Sequence, residues 1–326
     1  MGIFIVDKPL SLTSHDVVAR ARRLLGTRRV GHAGTLDPLA TGVLVVLSDA
    51  ATKLSPFLTA SRKAYLAWVS FGPATATLDA EPPIIHQADA SNLQVDEVRA
   101  KLDRFLSLTQ QQPPAFSAIK QGGQKSYDAA RRGDDLNLPP RDVKYYAVEL
   151  LAWATSREQL PCTFSQDRQG NWHVADDTSA QLQVETLPDS LGTFPTALVY
   201  VSVQAGTYIR AFARDLGEAV GMPAHLSGLV RVQAGRAGIT DAVGLEQLDP
   251  NHANAMRSLR AINILTYPEH MLNDQEVVRV RQGQRLSLQL DTRTAFVDET
   301  RALVAIAETN TDTGRMKLVR VWQEGI

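Results

Sequence analysis

A change of pattern near residue 253 limits the fold of this chain more than any other feature. Before it, apolar runs of strand length alternate with amphipathic stretches of helical period; after it, only short strand-like runs remain. Ile3–Val6 reads as a short buried strand, stopped at Lys8-Pro9 because proline has no N–H for a ladder. Val17, Val18, Ala21, Leu24 and Leu25 recur at helical spacing, with Thr13 or Ser14 available as the cap and Gly26 to close the helix. Gly31 to Thr41 reads as a loop, Val43–Leu47 as a strand and about Ala50 to Leu58 as a helix. Ala64–Phe71 alternates like a half-buried strand, and Val95–Leu106 is an amphipathic helix. Gln112–Ile119 reads as a strand or extended loop, Ser126–Arg132 as a short helix, Val143–Trp153 and Ala197–Gln204 as strands, and Tyr208–Val220 as a helix ended by Gly221. Beyond residue 253, Glu276–Val280, Thr294–Val297, Ala302–Ala307 and Leu318–Trp322 read as short strands. The pattern predicts an α/β protein with a large domain over 1–255 and a small β-barrel-like domain over 256–326. The 326 residues suffice for both cores. Residues 155–191 turn polar and read as an inserted hairpin or loop.

Composition mostly excludes. Apolar runs such as Thr41–Leu47 are far too short to cross a bilayer, so no membrane partner is expected. The chain opens on Ile3-Phe4-Ile5-Val6 without a basic leader, so a cytoplasmic protein is expected. The single cysteine, Cys162, allows no disulfide or thiolate metal site within the chain, and no two of the seven histidines have helical ligand spacing. No metal is therefore expected. The formal net charge is −1, but charges segregate. Basic groups are Arg20 to Arg29, then Lys120, Lys125, Arg131 and Arg132, then Arg210, Arg214, Arg231 and Arg236. Each group alone reads as a solvated helix face, and composition by itself does not reach RNA.

The segment Gly31-His32-Ala33-Gly34-Thr35-Leu36-Asp37-Pro38-Leu39-Ala40-Thr41-Gly42 carries the chemical signal. Its glycines permit positive φ and close approach of a ligand, and Pro38 restrains Asp37 to an extended conformation. A carboxylate so held can be aimed into a cleft. By itself, Asp before Pro in a glycine-rich turn is more often ordinary turn chemistry. A phosphate cradle is a further alternative, but no Gly-Lys-Ser/Thr follows.

The run from Gly31 to Leu44 resembles, nearly letter for letter, the catalytic motif of TruB-type tRNA pseudouridine synthases. Other segments match the same family in order. They are Val6-Asp7-Lys8-Pro9 with Thr13-Ser14, then Lys63-Ala64-Tyr65, then Thr75 to Glu81, then Gln112 to Lys120, then Gly206-Thr207-Tyr208-Ile209-Arg210. The resemblance implies the pseudouridine synthase fold, a mixed and largely antiparallel sheet with flanking helices and a central RNA-binding cleft, followed by a PUA-type domain. It implies uridine 55 of the tRNA T-arm as the target, converted to pseudouridine by base flipping.

The same resemblance implies roles at matching positions. Asp37 is the nucleophile, attacking the ribose anomeric carbon or carbon 6 of the base. Tyr65 stacks on the flipped base and helps remove the carbon 5 proton. Arg210 pairs with Asp37 and holds it ionised. Tyr208 and Leu229 line the base pocket, His32 fills the gap left in the RNA stack, and Lys8 steadies the motif loop or the backbone. Physical chemistry agrees with these roles. Extruding a stacked base costs a few kcal/mol, which aromatic stacking and pocket hydrogen bonds offset. A guanidinium opposes protonation of a buried carboxylate. Isomerisation changes neither formula nor oxidation state, so no cofactor is expected. Each residue alone has a plainer reading: Tyr65 and Leu229 as core packing, Arg210 as a solvated helix residue, His32 as a loop histidine.

The chain departs from the family in three places. Residues 155–191 are longer and more polar than the family pattern needs, apolar residues stand at 64 and 66 where the family often has basic ones, and the charges of 256–326 are balanced. A stand-alone monomer without an obligatory protein partner is expected. A tRNA-folding chaperone and a guide-RNA-dependent synthase are the alternatives.

Overall fold

The computed structural model describes residues 2–117, 120–121, 124–125, 138–185, 188–248 and 260–326. They fall into two compact units. One comprises Met1–Asp37, Gly42–Ser61 and Gln233–Ile326; the other comprises Pro38–Thr41 and Arg62–Val232.

In the first unit, the strand Gly2–Lys8 lies between Ala40–Ser48, antiparallel to it, and Val243–Gly244, parallel to it. Ile3 to Val6 and Val43 to Leu47 are buried, as continuous apolar runs in a doubly covered strand must be. The helix Ser14–Leu24 starts at a capping box. Asp16 N–H donates to Thr13 Oγ1 at 3.1 Å, and Thr13 N–H donates to Asp16 Oδ2 at 2.8 Å. The helix buries Val17, Val18 and Ala21, and the chain leaves it through Gly26 at φ +62°. The expectation of one loop over 31–41 is corrected. Val30–Ala33 is a strand paired antiparallel with Ala40–Ser48, from Val30↔Ser48 to Ala33↔Val45, which leaves only 34–39 irregular.

The same unit carries a four-stranded sheet in the order Glu269–Met271, Thr294–Val297, Leu303–Thr309, Met316–Val321. The first pair is parallel and the others are antiparallel. The expected strand at Glu276–Val280 is instead part of a helix, Asp274–Arg281. Five residues are too few to separate a period of 2 from 3.6, and the deciding signal is Asn273-x-x-Glu276. Glu276 N–H donates to Asn273 Oδ1, and Asn273 N–H donates back to Glu276 Oε2, both at 3.0 Å. The helix then buries Val277 and Val280 against Leu272, Phe296 and Val304. Buried Trp322 donates from Nε1 to Ala50 O at 3.0 Å, tying these strands to residues 49–54 of their own unit.

In the second unit the strands run in the order Tyr145–Ala154, Thr196–Val203, Lys63–Phe71, Ala224–Ala234, the last two residues of which belong to the first unit. The first two pairings are antiparallel. All nine residues of Lys63–Phe71 are buried, so the half-buried reading is corrected. The strand is central, and its polar positions are satisfied inside: Ser70 Oγ bonds Thr196 Oγ1 at 2.9 Å and Ser227 Oγ at 2.7 Å. The helix Val95–Leu102 continues as a tighter turn, Asp103–Ser107, whose Phe105 meets Phe212 at 4.7 Å and Tyr145 at 5.5 Å between ring centroids. That cluster seats the helix Ile209–Val220, closed by Gly221 at φ +74°. Residues 155–191 contain a three-stranded sheet, with Thr163–Gln166 between Trp172–Val174 and Leu182–Gln183. The expected helix Ser126–Arg132 lies outside the described residues. Among the described residues no helix is long and apolar enough to cross a membrane.

Candidate active site

Asp37 stands in the six-residue link between the strands Val30–Ala33 and Ala40–Ser48, half-buried. Gly34 at φ +87° and Gly42 at φ +93° open and follow the link in the left-handed region, where a Cβ is disfavoured. Two side chains from the N-terminal segment grip this stretch. Leu36 N–H donates to Ser14 Oγ at 2.8 Å, and the Ser14 hydroxyl donates to Leu36 O at 3.0 Å. Gly42 N–H donates to Asp7 Oδ1 at 3.1 Å. Ser14 and Leu36 are both buried.

Lys8 has no exposed surface, and its ammonium donates to Pro9 O at 3.0 Å and Leu12 O at 2.5 Å. It thus closes the turn that leads into the Thr13 cap. His32 accepts at its backbone oxygen from Ser55 Oγ at 2.9 Å, and its ring meets the His15 ring edge-on with centroids 5.6 Å apart. Lys8, His32 and Asp37 therefore belong to one unit, at or beside the ends of its paired strands.

Tyr65, Tyr208, Arg210 and Leu229 belong to the other unit. Tyr65 is buried in the central strand, opposite Val201. Its hydroxyl accepts a hydrogen bond from Arg231, a fully buried residue of the neighbouring strand. Burial holds the Arg231 guanidinium below its ordinary value, and the contact with Tyr65 opposes that shift. Burial, helped by the charge of Arg231, also pulls the Lys63 ammonium down to about 8. Arg210, on the first turn of Ile209–Val220, donates through its two terminal nitrogens to Thr77 O at 2.8 Å and Phe116 O at 2.9 Å. One planar fork thereby joins the 75–81 and 112–120 motif segments. Tyr208 is the residue before that helix, and its N–H donates to Gln111 Oε1 at 2.9 Å. Gln111 Nε2 in turn donates to the Tyr145 hydroxyl at 3.0 Å. Leu229 is buried on the strand Ala224–Ala234.

Sequence reasoning missed three supporting residues: Ser14, Gln111 and Arg231. Thr13-Ser14 was visible as a motif, but only as a choice of helix cap. Gln111 gave no signal, and Arg231, expected on a solvated helix face with its basic group, is instead buried on the strand Ala224–Ala234. Among the described residues no three His, Cys, Asp or Glu side chains cluster as a metal site.

A family model described as "TruB family pseudouridylate synthase (N terminal domain)" matches residues 22–169. A tRNA pseudouridine synthase B of Thermus thermophilus is 47% identical over 322 residues, 99% of this chain and 99% of its own. This chain belongs to the TruB family of pseudouridylate synthases. The tRNA pseudouridine synthase B of Deinococcus radiodurans is 46% identical over 99% of this chain and 100% of its own, and that of Mycobacterium tuberculosis is 36% identical over 87% and 84%. Among solved structures, the chain matched in the crystal structure of a Cbf5-Nop10-Gar1 complex has a TM-score of 0.63 at 21% identity, covering 98% of this chain and 84% of that one. The chain matched in the archaeal box H/ACA sRNP Nop10-Cbf5 complex gives 0.60 at 20%, covering 98% and 85%. At such identity the likeness is one of fold, and the fold is the mixed α/β one of the pseudouridine synthases. His32, Asp37 and Tyr65 lie inside the family-model match; Lys8, Tyr208, Arg210 and Leu229 lie outside it but within the span of a 322-residue relationship.

Proposed function

We propose that the protein is a stand-alone tRNA pseudouridine synthase that converts uridine 55 of the T-loop to pseudouridine, with Asp37 as its nucleophile. The observation that carries this reading is the 47% identity over 99% of both chains to a tRNA pseudouridine synthase B. In the reaction the bond from N1 of the base to the ribose C1′ breaks and a bond from C5 to C1′ forms. C5 loses its proton and N1 gains one, so the formula is unchanged.

Asp37 attacks the sugar or the base. Tyr65 stacks on the extruded ring and takes part in removing the C5 proton. The family pattern assigns Arg210 as the cationic partner that aims the Asp37 carboxylate. Tyr208 and Leu229 bound the base pocket, and His32 occupies the gap in the RNA stack. Lys8 steadies the motif turn, a role supported by its bonds to the Pro9 and Leu12 carbonyls. Residues 256–326 act as a small PUA-type domain and 155–191 as an insertion. The protein works in the cytoplasm as a monomer without an obligatory protein partner.

The test is incubation of isolated protein with an unmodified tRNA transcript, followed by mapping of pseudouridine along the RNA. One modified position, at 55 and without added guide RNA or protein, is the expected result. Modification only with a guide, or none with RNA still bound, would replace the reading with a guided enzyme or a chaperone.

A further inference from the structure

We infer that Ser14 is a positioning residue for Asp37, fixing the peptide plane from which the carboxylate hangs. The inference rests on the proposed role of Asp37 as nucleophile and goes beyond it.

Ser and Thr at helix starts usually spend their hydroxyls on the free N–H groups of the first turn. Thr13 does this here, in a reciprocal box with Asp16. Ser14 is thereby released from capping, and its hydroxyl is used 22 residues away, at Leu36. One hydroxyl serves both backbone groups of that residue: it accepts from the N–H at 2.8 Å and donates to the C=O at 3.0 Å. A strand neighbour would satisfy Leu36 in the same way, but 34–39 has left its strand. Ser14 stands in for the missing ladder.

The consequence for Asp37 is geometric. The Leu36 carbonyl, the Asp37 nitrogen and the Asp37 Cα share one planar peptide unit. Holding the carbonyl therefore holds the Asp37 Cα. On the other side, Pro38 confines the Asp37 backbone to the extended region. With both flanks set, the carboxylate keeps little freedom besides its own side-chain rotation. The clamp is also stiff at its base. Ser14 is buried, it begins the eleven-residue helix Ser14–Leu24, and the turn before that helix is closed by buried Lys8. Asp7, on the Gly42 N–H, restrains the far side of the link.

Positioning at this scale matters kinetically, because a misplacement of about 1 Å can cost roughly 100-fold in rate. Ser14→Ala removes both bonds, whereas Ser14→Thr keeps the hydroxyl. The measurement is the single-turnover rate of tritium release from tRNA labelled at uridine C5, with enzyme in excess, beside tRNA affinity and melting temperature. Wild-type release must be seen first; its absence would count against the proposed function and not against the clamp. With it in hand, Ser14→Ala is expected to slow release by roughly 10- to 100-fold, with affinity within about three-fold, and Ser14→Thr to recover most of the rate. A wild-type rate in Ser14→Ala, whatever its melting temperature, overturns the inference. So does a rate loss matched by an equal loss of affinity, or equal slowing in both variants.

Discussion

The link around Asp37 and the excursion over 163–183 are both irregular stretches between strands, yet they are held in opposite ways. Around Asp37 the side-chain hydrogen bonds come from far along the chain: Ser14 to Leu36, Asp7 to Gly42, Ser55 to His32. Within the excursion they are mostly local. Asp167 accepts from the N–H groups of Gln169 and Asn171, and Asp176 accepts from Thr178 and Ser179. Local bonds of this kind shape a turn and fix nothing beyond it. Convergent bonds from distant elements hold one backbone position against the whole unit, which is what a reacting group requires. Distant anchors appear on the excursion only at its borders. Arg157 donates to Ser227 O, Ser190 donates to Ala80 O at 2.6 Å, and buried His225 meets Asp189 at 2.9 Å and Pro73 O at 3.0 Å.

The largest expected effect tests the convergent region. Asp37→Asn should lower turnover by roughly four orders of magnitude or more. tRNA affinity should stay within about three-fold, because phosphate contacts dominate binding. Filter binding beside a turnover assay separates the two. Next comes the border of the excursion. Replacing His225 with Ala removes the side-chain hydrogen bond to the buried Asp189 carboxylate, at a cost of about 1–3 kcal/mol in denaturant-unfolding stability. Turnover per folded molecule should be nearly unchanged, and a large loss there would erase the contrast between the two regions.

The contact between Asp189 and His225 also makes stability depend on pH. Burial alone would raise the Asp189 carboxyl, but the bond and charge of His225 and the Leu191 N–H outweigh it, so its pKa lies below the ordinary value. A carboxyl lowered in the fold contributes stability above its unfolded value of about 3.9, lost as pH falls through the folded value. The stability difference between wild type and Asp189→Asn should therefore be full at pH 7 and shrink as pH falls below about 4. A difference that grows on acidification would contradict the pairing. The smallest effect belongs to the local bonds. Asp176→Ala should leave turnover unchanged, checked by initial rates on tRNA.

Much of this was legible in the residues. The Gly31–Gly42 run announced a constrained carboxylate because glycine and proline state their backbone preferences directly. The Thr13 cap was half legible: two adjacent hydroxyls offered themselves, and only the structure shows that Thr13 takes the helix and Ser14 turns inward. Arg231 was not legible, since nothing in a basic residue tells whether it faces water or a buried tyrosine. Glu276–Val280 misled because a short apolar run carries no period, although Asn273 stood in plain view as its cap. Lys63–Phe71 misled for a related reason. Alternation marks a half-buried strand, but a central strand buries its polar positions too when partners such as Thr196 and Ser227 meet them.

The most direct test of the central claim is tritium release from unmodified tRNA labelled at uridine C5, comparing wild type with Asp37→Asn. Release of one equivalent per tRNA by wild type, and none by the variant, is the predicted result. Equal release by both would remove Asp37 from the chemistry and leave it a residue of the turn.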